Sequence, residues 1–151
     1  LQAAACNAAL RLREAPLSSV EWGEIAVVHA TGGLFRVEDP RCEQPRADAF
    51  EISATGPIFG GRTLEPVGPA QERERAALAA VGVDPDRPVR PPRGIALRGA
   101  RRALRVRPEE ATVEALPGAL RLRFTLPPGS FATVLIEELF GTEVAFGPAF
   151  R

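Results

Sequence analysis

The sequence predicts a mixed α/β (α+β) fold with antiparallel strands and a final helix. Apolar and polar side chains alternate over residues 120–126, which is the period of two typical of a strand with one buried face. An apolar stretch of helical length follows a Gly-Ser turn near the end of the chain. The chain has 151 residues, of which 45% are hydrophobic and 25% charged, so it suffices for one domain or for parts of two.

Two helices are predicted before the last third of the chain. Residues Leu1 to Glu14 are rich in Ala, and Pro16 stops the pattern. The second helix is expected over Pro69 to Val81, because Pro suits the first turn of a helix. Gly82 fits its C-terminal end.

Short strands are predicted between these helices. Ile25–Val28 and Leu34–Val37 flank the turn signal Thr31-Gly32-Gly33, a pattern that indicates a β-hairpin. Phe50–Ser53 alternates like a short strand. It is expected to run into a loop over residues 55–61, where Gly and Pro are frequent.

The last third carries the clearest pattern. Leu104–Arg107 and Leu120–Leu126 alternate apolar with basic residues, and Thr112–Leu116 lies between them, which predicts antiparallel strands. A helix is expected from about Phe131 to Phe140, with Ser130 as its N-cap.

Arginine is unevenly distributed along the chain. The formal net charge is +0 and all 19 basic residues are Arg, yet eight of them fall between Arg87 and Arg107 without any acid. Such a basic stripe suits contact with phosphates. The alternative is a solvated face that binds nothing.

Metal and membrane roles find little support in the sequence. Cys6, Cys42 and His29 are too few and too widely spaced for a structural zinc site. A disulfide stays open, although the low Cys content favours a reducing compartment. No apolar run approaches the roughly 20 residues of a membrane span, so no membrane role is expected.

The stretch Leu126–Thr133 places a Gly-Ser turn and an aromatic ring where a strand gives way to a helix. Free N–H groups at a helix N-terminus attract anions such as phosphate. Phe131 could stack on a base that has left its helix. The alternative is a capped helix whose Phe131 fills the core.

Four motifs in order resemble the TruD family of tRNA pseudouridine synthases. Leu126–Thr133 is similar to the family's LPxGS(F/Y)AT signature, and Gly99–Pro108 to its GARRxLRVxP strand. Phe50–Gly60 resembles fEIsxTGPLFG. Asn7 and Leu10 fit an FNxxL helix, although Cys6 stands where Phe is usual.

The resemblance implies a split layout. Residues 1–97 are expected to be part of the inserted TRUD domain. Residues 98–151 are expected to be the C-terminal strands and helix of the pseudouridine-synthase catalytic domain. The proline-rich stretch Asp84–Gly94 falls where this boundary is expected.

In that family an aspartate in a GxKDxxAxTxQ motif attacks the target uridine, and the base then rejoins the ribose through C5. The sequence has no Lys, so the motif is absent from these 151 residues. The resemblance therefore implies an isomerase acting on tRNA at uridine 13 whose nucleophile comes from a missing N-terminal catalytic segment. It further implies a monomeric, cytoplasmic enzyme that needs no metal or cofactor. The chain has no initiating Met, so a processed or partial chain is expected.

The residues carried over from the family are few. Phe131 aligns with its substrate-contacting aromatic, and Gly129 and Ser130 shape the turn before it. Glu137 departs from the family, which often has Arg there. RNA-backbone contacts are expected from Arg98, Arg101, Arg102, Arg105, Arg107, Arg121 and Arg123.

Two further hypotheses remain open at this point. One is a non-catalytic RNA-binding module that uses the arginines and Phe131. The other is an α/β domain with no nucleic-acid role.

Overall fold

The computed structural model describes residues 2–61, 63–87 and 99–141. They fall into two compact units that divide between Arg105 and Val106. Most of the proline-rich stretch lies outside the described residues. The domain boundary expected between residues 97 and 98 stays a prediction.

Three helices belong to the first unit: α1 (Gln2–Arg11), α2 (Pro40–Asp48) and α3 (Pro69–Ala80). The prediction of α3 is confirmed, and Gly82 follows its end with a φ of +77°. The first helix is shorter than predicted, because the chain beyond Leu12 turns inwards to bury Arg13.

The first unit contains one sheet of four antiparallel strands: β1 (Ile25–Val28), β2 (Leu34–Arg36), β3 (Ile52–Ile58) and β4 (Ala100–Ala103). Their order is β2-β1-β3-β4. The predicted β-hairpin is confirmed, with Val27 opposite Leu34 in the ladder between β1 and β2.

The predicted loop over residues 55–61 is wrong in its first half, because β3 continues through Thr55, Gly56 and Pro57. Proline is tolerated here since β1 pairs only with residues 52–54, so one side of Pro57 has no ladder partner in β1. A Cβ atom on Gly56 would lie 3.2 Å from the Sγ of Cys6 and 2.9 Å from Leu104. Glycine therefore allows α1 to approach the sheet closely.

The strand predicted at Leu104–Arg107 is also wrong. The strand β4 lies earlier, and its pairing ends where the N–H of Leu104 donates to the carbonyl of Ala54 at 2.9 Å. The alternation of apolar and basic residues was misleading here, because the side chain of Arg105 does not project from the sheet into solvent. Its guanidinium turns back against β3.

The helix α2 was not predicted from the sequence. The carboxylate of Asp39 accepts a hydrogen bond from the backbone N–H of Arg41 at 2.9 Å, and Pro40 occupies the first turn. Pro45 lies inside the helix. Because proline usually breaks a helix, its presence in the sequence argued against a helix here.

A small core holds the first unit together, formed by Val20, Ala26, Val37, Ala47, Ile52 and Ala54. Beside it Arg13, whose side chain is 1% exposed, pairs with Glu24, and Arg73 of α3 pairs with the same carboxylate. Trp22 is half exposed and lies so close to Gly68 that a Cβ there would clash with its ring.

The second unit consists of the hairpin β5 (Glu109–Leu116) and β6 (Ala119–Thr125), followed by the helix α4 (Ala132–Phe140). These elements confirm the prediction of antiparallel strands and a final helix. The described residues of this unit include none in the buried class. Its large exposed apolar side chains are Val106, Val113, Leu120, Phe131, Val134, Leu139 and Phe140.

Within the described ranges, no helix is both long and apolar enough to cross a membrane.

Candidate functional site

A backbone hydrogen bond closes the turn between β6 and α4. The N–H of Ser130 donates to the carbonyl of Pro127 at 3.1 Å, and Gly129 adopts a φ of +84°. That conformation disfavours residues with a side chain, so the glycine fixes the turn. The chain then passes directly into α4.

Phe131, not Ser130, is the N-cap of α4, with extended backbone angles and no side-chain cap hydrogen bond. The prediction that Ser130 caps the helix was wrong, because the turn places it one residue too early. The side chain of Phe131 is 69% exposed. The alternative that it fills a core is thus not supported within the described part of this unit.

This arrangement combines two chemical properties. The first N–H groups of α4 lack a side-chain acceptor from the N-cap residue, so their positive dipole end can attract an anionic group. The exposed ring of Phe131 offers a flat apolar surface beside them. A nucleotide presents both a phosphate and a base with a π-face.

The predicted RNA-contacting arginines lie in different surroundings. Arg98 lies outside the described residues, and the others divide between the two units. Their environments also differ.

Arg101 is held inside the first unit. Its guanidinium makes two hydrogen bonds to the carboxylate of Glu74, at 2.6 and 2.9 Å, and its side chain is 1% exposed. It also donates to the hydroxyl and the carbonyl of Thr55, both at 3.1 Å. These contacts join β4 to α3 and β3.

Arg105 is engaged in a similar way. Its Nε donates to the hydroxyl of Ser53 at 2.8 Å, and its Nη2 donates to the carbonyls of Ile52 and Ala47. The guanidinium carbon lies 4.8 Å from the ring centroid of Phe50. These hydrogen bonds hold Arg105 against the start of β3 and the end of α2.

The remaining arginines in the predicted set, Arg102, Arg107, Arg121 and Arg123, are exposed. Arg121 pairs across the hairpin with Glu114 at 2.9 Å, in a pair that is about half exposed on both sides. Exposed pairs of this kind contribute about 0–1 kcal/mol and exchange partners readily.

A cluster of side chains around Phe50 was not predicted from the sequence. The rings of His29 and Phe50 are stacked, with centroids 4.4 Å apart and an interplanar angle of 5°. The Nε2 of His29 lies 2.8 Å from the hydroxyl of Ser53, the group that also accepts from Arg105. Burial and, second, the charge of Arg105 lower the pKa of His29.

Phe50 has a φ of +59°, which is uncommon for a bulky residue. It follows the C-cap of α2, and the N–H groups of Phe50 and Glu51 donate to the carbonyls of Ala47 and Arg46. This is the Schellman arrangement, in which glycine is usual at the position of Phe50. Local sequence carried no signal for it, because a Phe is not expected in that conformation.

One cavity of about 170 Å³ lies in the first unit between the end of β3 and α3. Pro57, Phe59 and Leu78 form its apolar lining, and Glu74 and Arg75 contribute charge. Within the described parts of the chain, no three His, Cys, Asp or Glu residues are grouped closely enough to hold a metal ion. Cys6 and Cys42 are free thiols.

Comparison with known proteins identifies the class to which this fold and turn belong. The family model described as tRNA pseudouridine synthase D (TruD) matches residues 1–139. The chain belongs to this family of isomerases, as the motifs had predicted.

Comparison with individual relatives indicates the same family. The chain is 42% identical over 144 residues to the tRNA pseudouridine synthase D of Geobacter metallireducens, covering 92% of this chain and 35% of that protein. It is 44% identical over 135 residues to that of Thermus thermophilus, covering 89% of this chain and 36% of the relative. The chain thus spans about a third of the length of these relatives.

A solved structure from Methanosarcina mazei, named for the same synthase, superposes with a TM-score of 0.69 at 23% identity. The match covers 93% of this chain and 36% of that chain. It supports the mixed α/β fold with antiparallel sheets and a final helix.

Proposed function

We propose that this chain supplies the tRNA-binding C-terminal part of a pseudouridine synthase that converts uridine 13 of tRNA. The observation that carries the proposal is the exposed Phe131 at the uncapped start of α4, within a motif of the family to which the chain belongs. Gly129 and Ser130 hold the turn that presents this ring.

In this proposal Phe131 contacts the target base after it leaves its stack. An unstacked base loses neighbouring surfaces, and an aromatic side chain returns roughly 1–3 kcal/mol of stacking. The N–H groups at the start of α4 would receive the adjoining phosphate. The exposed Arg102, Arg107, Arg121 and Arg123 would contact the RNA backbone, whereas Arg101 and Arg105 would maintain the fold beneath it.

The nucleophile must come from elsewhere in this proposal. The 151 residues contain no Lys and hence no GxKD motif, and Asp39, Asp48, Asp84 and Asp86 match nothing catalytic. Asp39 caps α2, and Asp86 pairs with Arg75. An N-terminal catalytic segment would bring the reactive aspartate.

The second unit offers a surface for that segment. A two-stranded hairpin is marginally stable by itself, and this one leaves Val113 70% exposed and Leu120 54% exposed. Exposed apolar surfaces of this kind mark sites of association. Covering them would complete a sheet and a core that the described residues of this unit do not build.

The test is reconstitution with a relative. This chain is combined with the N-terminal part of the Geobacter metallireducens enzyme, and tritium release is measured from tRNA labelled at C5 of uridine. Release by the pair, with pseudouridine mapped at position 13, supports the proposal. Release by this chain alone would contradict it, since a covalent mechanism needs its nucleophile. Binding of tRNA without any release by the pair would favour the non-catalytic RNA-binding module.

A further inference from the structure

The exposed ring of His29 lies at one end of the sheet of the first unit, against Phe50. His29 follows β1, Phe50 precedes β3, and Arg105 follows β4. The N–H of His29 donates to the carbonyl of Glu51 at 2.9 Å, so the ladder between β1 and β3 extends to this point. Three neighbouring strands thus hold one cluster of π-systems.

The backbone at Phe50 has a conformation that is uncommon for a bulky residue at a helix end. The Schellman arrangement after α3 is built with Gly82, where the N–H groups of Gly82 and Val83 donate to Ala79 and Leu78. The same arrangement after α2 uses Phe50. A left-handed conformation is unfavourable for a residue with a side chain, because its Cβ approaches the following carbonyl oxygen. Strained residues of this kind concentrate at binding sites, where the surroundings maintain them.

The cluster is organised around Ser53, whose side chain is buried. The Nε of Arg105 donates to its hydroxyl, and the hydroxyl lies 2.8 Å from the Nε2 of His29. A neutral imidazole can accept a hydrogen bond from this hydroxyl group, and that bond fixes the orientation of the ring. The imidazole is therefore pre-oriented, with one face on Phe50.

The Nε and Nη2 of Arg105 are directed at Ser53 and at two backbone carbonyls. These donors are already engaged, so the feature that the cluster offers to a ligand is its stacked rings, which suit a flat π-system. Bases stack on exposed aromatic rings with little regard to sequence.

We propose that His29, supported by Phe50 and Arg105, is a second stacking surface that binds an unpaired nucleobase of the RNA. It lies in the first unit, apart in sequence from the turn at Phe131. The inference rests on the proposed function insofar as the ligand is RNA. The recognised chemistry is the face of a base, and not its phosphate.

Nuclear magnetic resonance can test this directly, because His29 is the single histidine of the chain. Hexauridylate is added to the 151-residue protein, and the imidazole C–H resonances are followed. A hexamer of abasic ribose phosphates with the same charge is the matched ligand. Hexauridylate should shift the resonances through the ring current of the base, and the abasic hexamer should leave them unchanged.

Variants supply the second readout. His29→Ala should weaken hexauridylate binding about tenfold, which falls within the roughly 1–3 kcal/mol of one stacked base. His29→Phe keeps a ring and should bind within about threefold of the parent. Leu17→Ala, an exposed apolar position in the same unit, should bind like the parent.

The inference is overturned if saturating hexauridylate leaves the His29 resonances in place, if the abasic hexamer moves them equally, or if His29→Ala binds normally. Failure of the proposed function would instead appear as no tritium release from the reconstituted pair. Release by that pair together with unmoved His29 resonances would remove this inference alone.

Discussion

Arg101 and Glu74 form a two-pronged ion pair that joins β4 to α3 inside the first unit, with N–O distances of 2.6 and 2.9 Å. The side chains are 1% and 14% exposed. The arginine that the sequence suggested for RNA contact is thus a structural tie.

Arg101→Ala should lower the free energy of unfolding by about 3 kcal/mol, because it leaves the carboxylate of Glu74 largely buried without its partner. Urea denaturation followed by circular dichroism measures the effect. Arg41→Ala, at an exposed arginine of the same unit, is the matched control and should change stability by no more than about 0.5 kcal/mol. Equal losses for the two variants would show that the buried pair is unimportant.

Phe131→Ala should leave the stability of this chain within about 0.5 kcal/mol of the parent, since the ring is 69% exposed. In the reconstituted synthase the same change should lower kcat/KM by about ten- to a hundredfold, from the stacking energy of one base. Phe131→Tyr keeps the ring and should be nearly neutral. Thermal melting and tritium release, measured on the same proteins, separate a role in stability from a role in substrate contact. A folded Phe131→Ala variant with full activity would exclude this residue from the site.

Arg107→Ala and Arg123→Ala should each weaken tRNA binding and reduce the slope of log affinity against log salt by roughly one. Both side chains are exposed, so the fold should be unaffected. Filter binding over a range of salt concentrations measures the slope. Unchanged slopes in both variants would show that these arginines only face solvent.

Phe50→Gly and Phe50→Ala should differ in stability by about 1 kcal/mol, with glycine the more stable. Both remove the ring that stacks on His29, but only glycine relieves the positive φ. Gly82→Ala is the internal comparison, because it adds a Cβ at the equivalent position after α3 and meets nothing within 4 Å. It should cost a similar amount. Equal stability of the two Phe50 variants would mean that the backbone there is unstrained.

His29 should make stability depend on pH in a predictable direction. Burial and the charge of Arg105 lower its pKa in the folded protein, so the unfolded chain takes up a proton first as the pH falls below about 6.5. Stability present above that pH is therefore lost on acidification. The difference in unfolding free energy between the parent and His29→Gln should shrink between about pH 7.5 and about pH 5.5.

Burial raises the pKa of Glu24, which affects stability in the opposite direction as the pH falls. Both proteins retain Glu24, so its contribution cancels in the difference. A difference that stays constant with pH would show that His29 titrates alike in the folded and unfolded states.

Much of the fold could be predicted from local pattern. The helix α3 and the hairpin of β1 and β2 follow from turn residues and periodicity. The membership of the family followed from motifs that lie in order along the chain. These features depend on neighbours in sequence, which a single sequence displays.

Features that the sequence could not reveal depend on distant partners. Arg101 meets Glu74 across 27 residues, and Arg105 meets Ser53 across 52. Alternation alone cannot tell an arginine that faces solvent from one that pairs inside. Phe131 was predicted as a site residue from its motif, but its exposure and its place as N-cap required the turn at Gly129 to be seen.

The contact between Trp22 and Gly68 has a consequence for spectroscopy. The chain contains one Trp and no Tyr, so its tryptophan emission comes from Trp22, a residue of the first unit. A fluorescence melt would therefore follow the surroundings of Trp22, and a Trp placed at Phe124 would give the second unit a signal of its own.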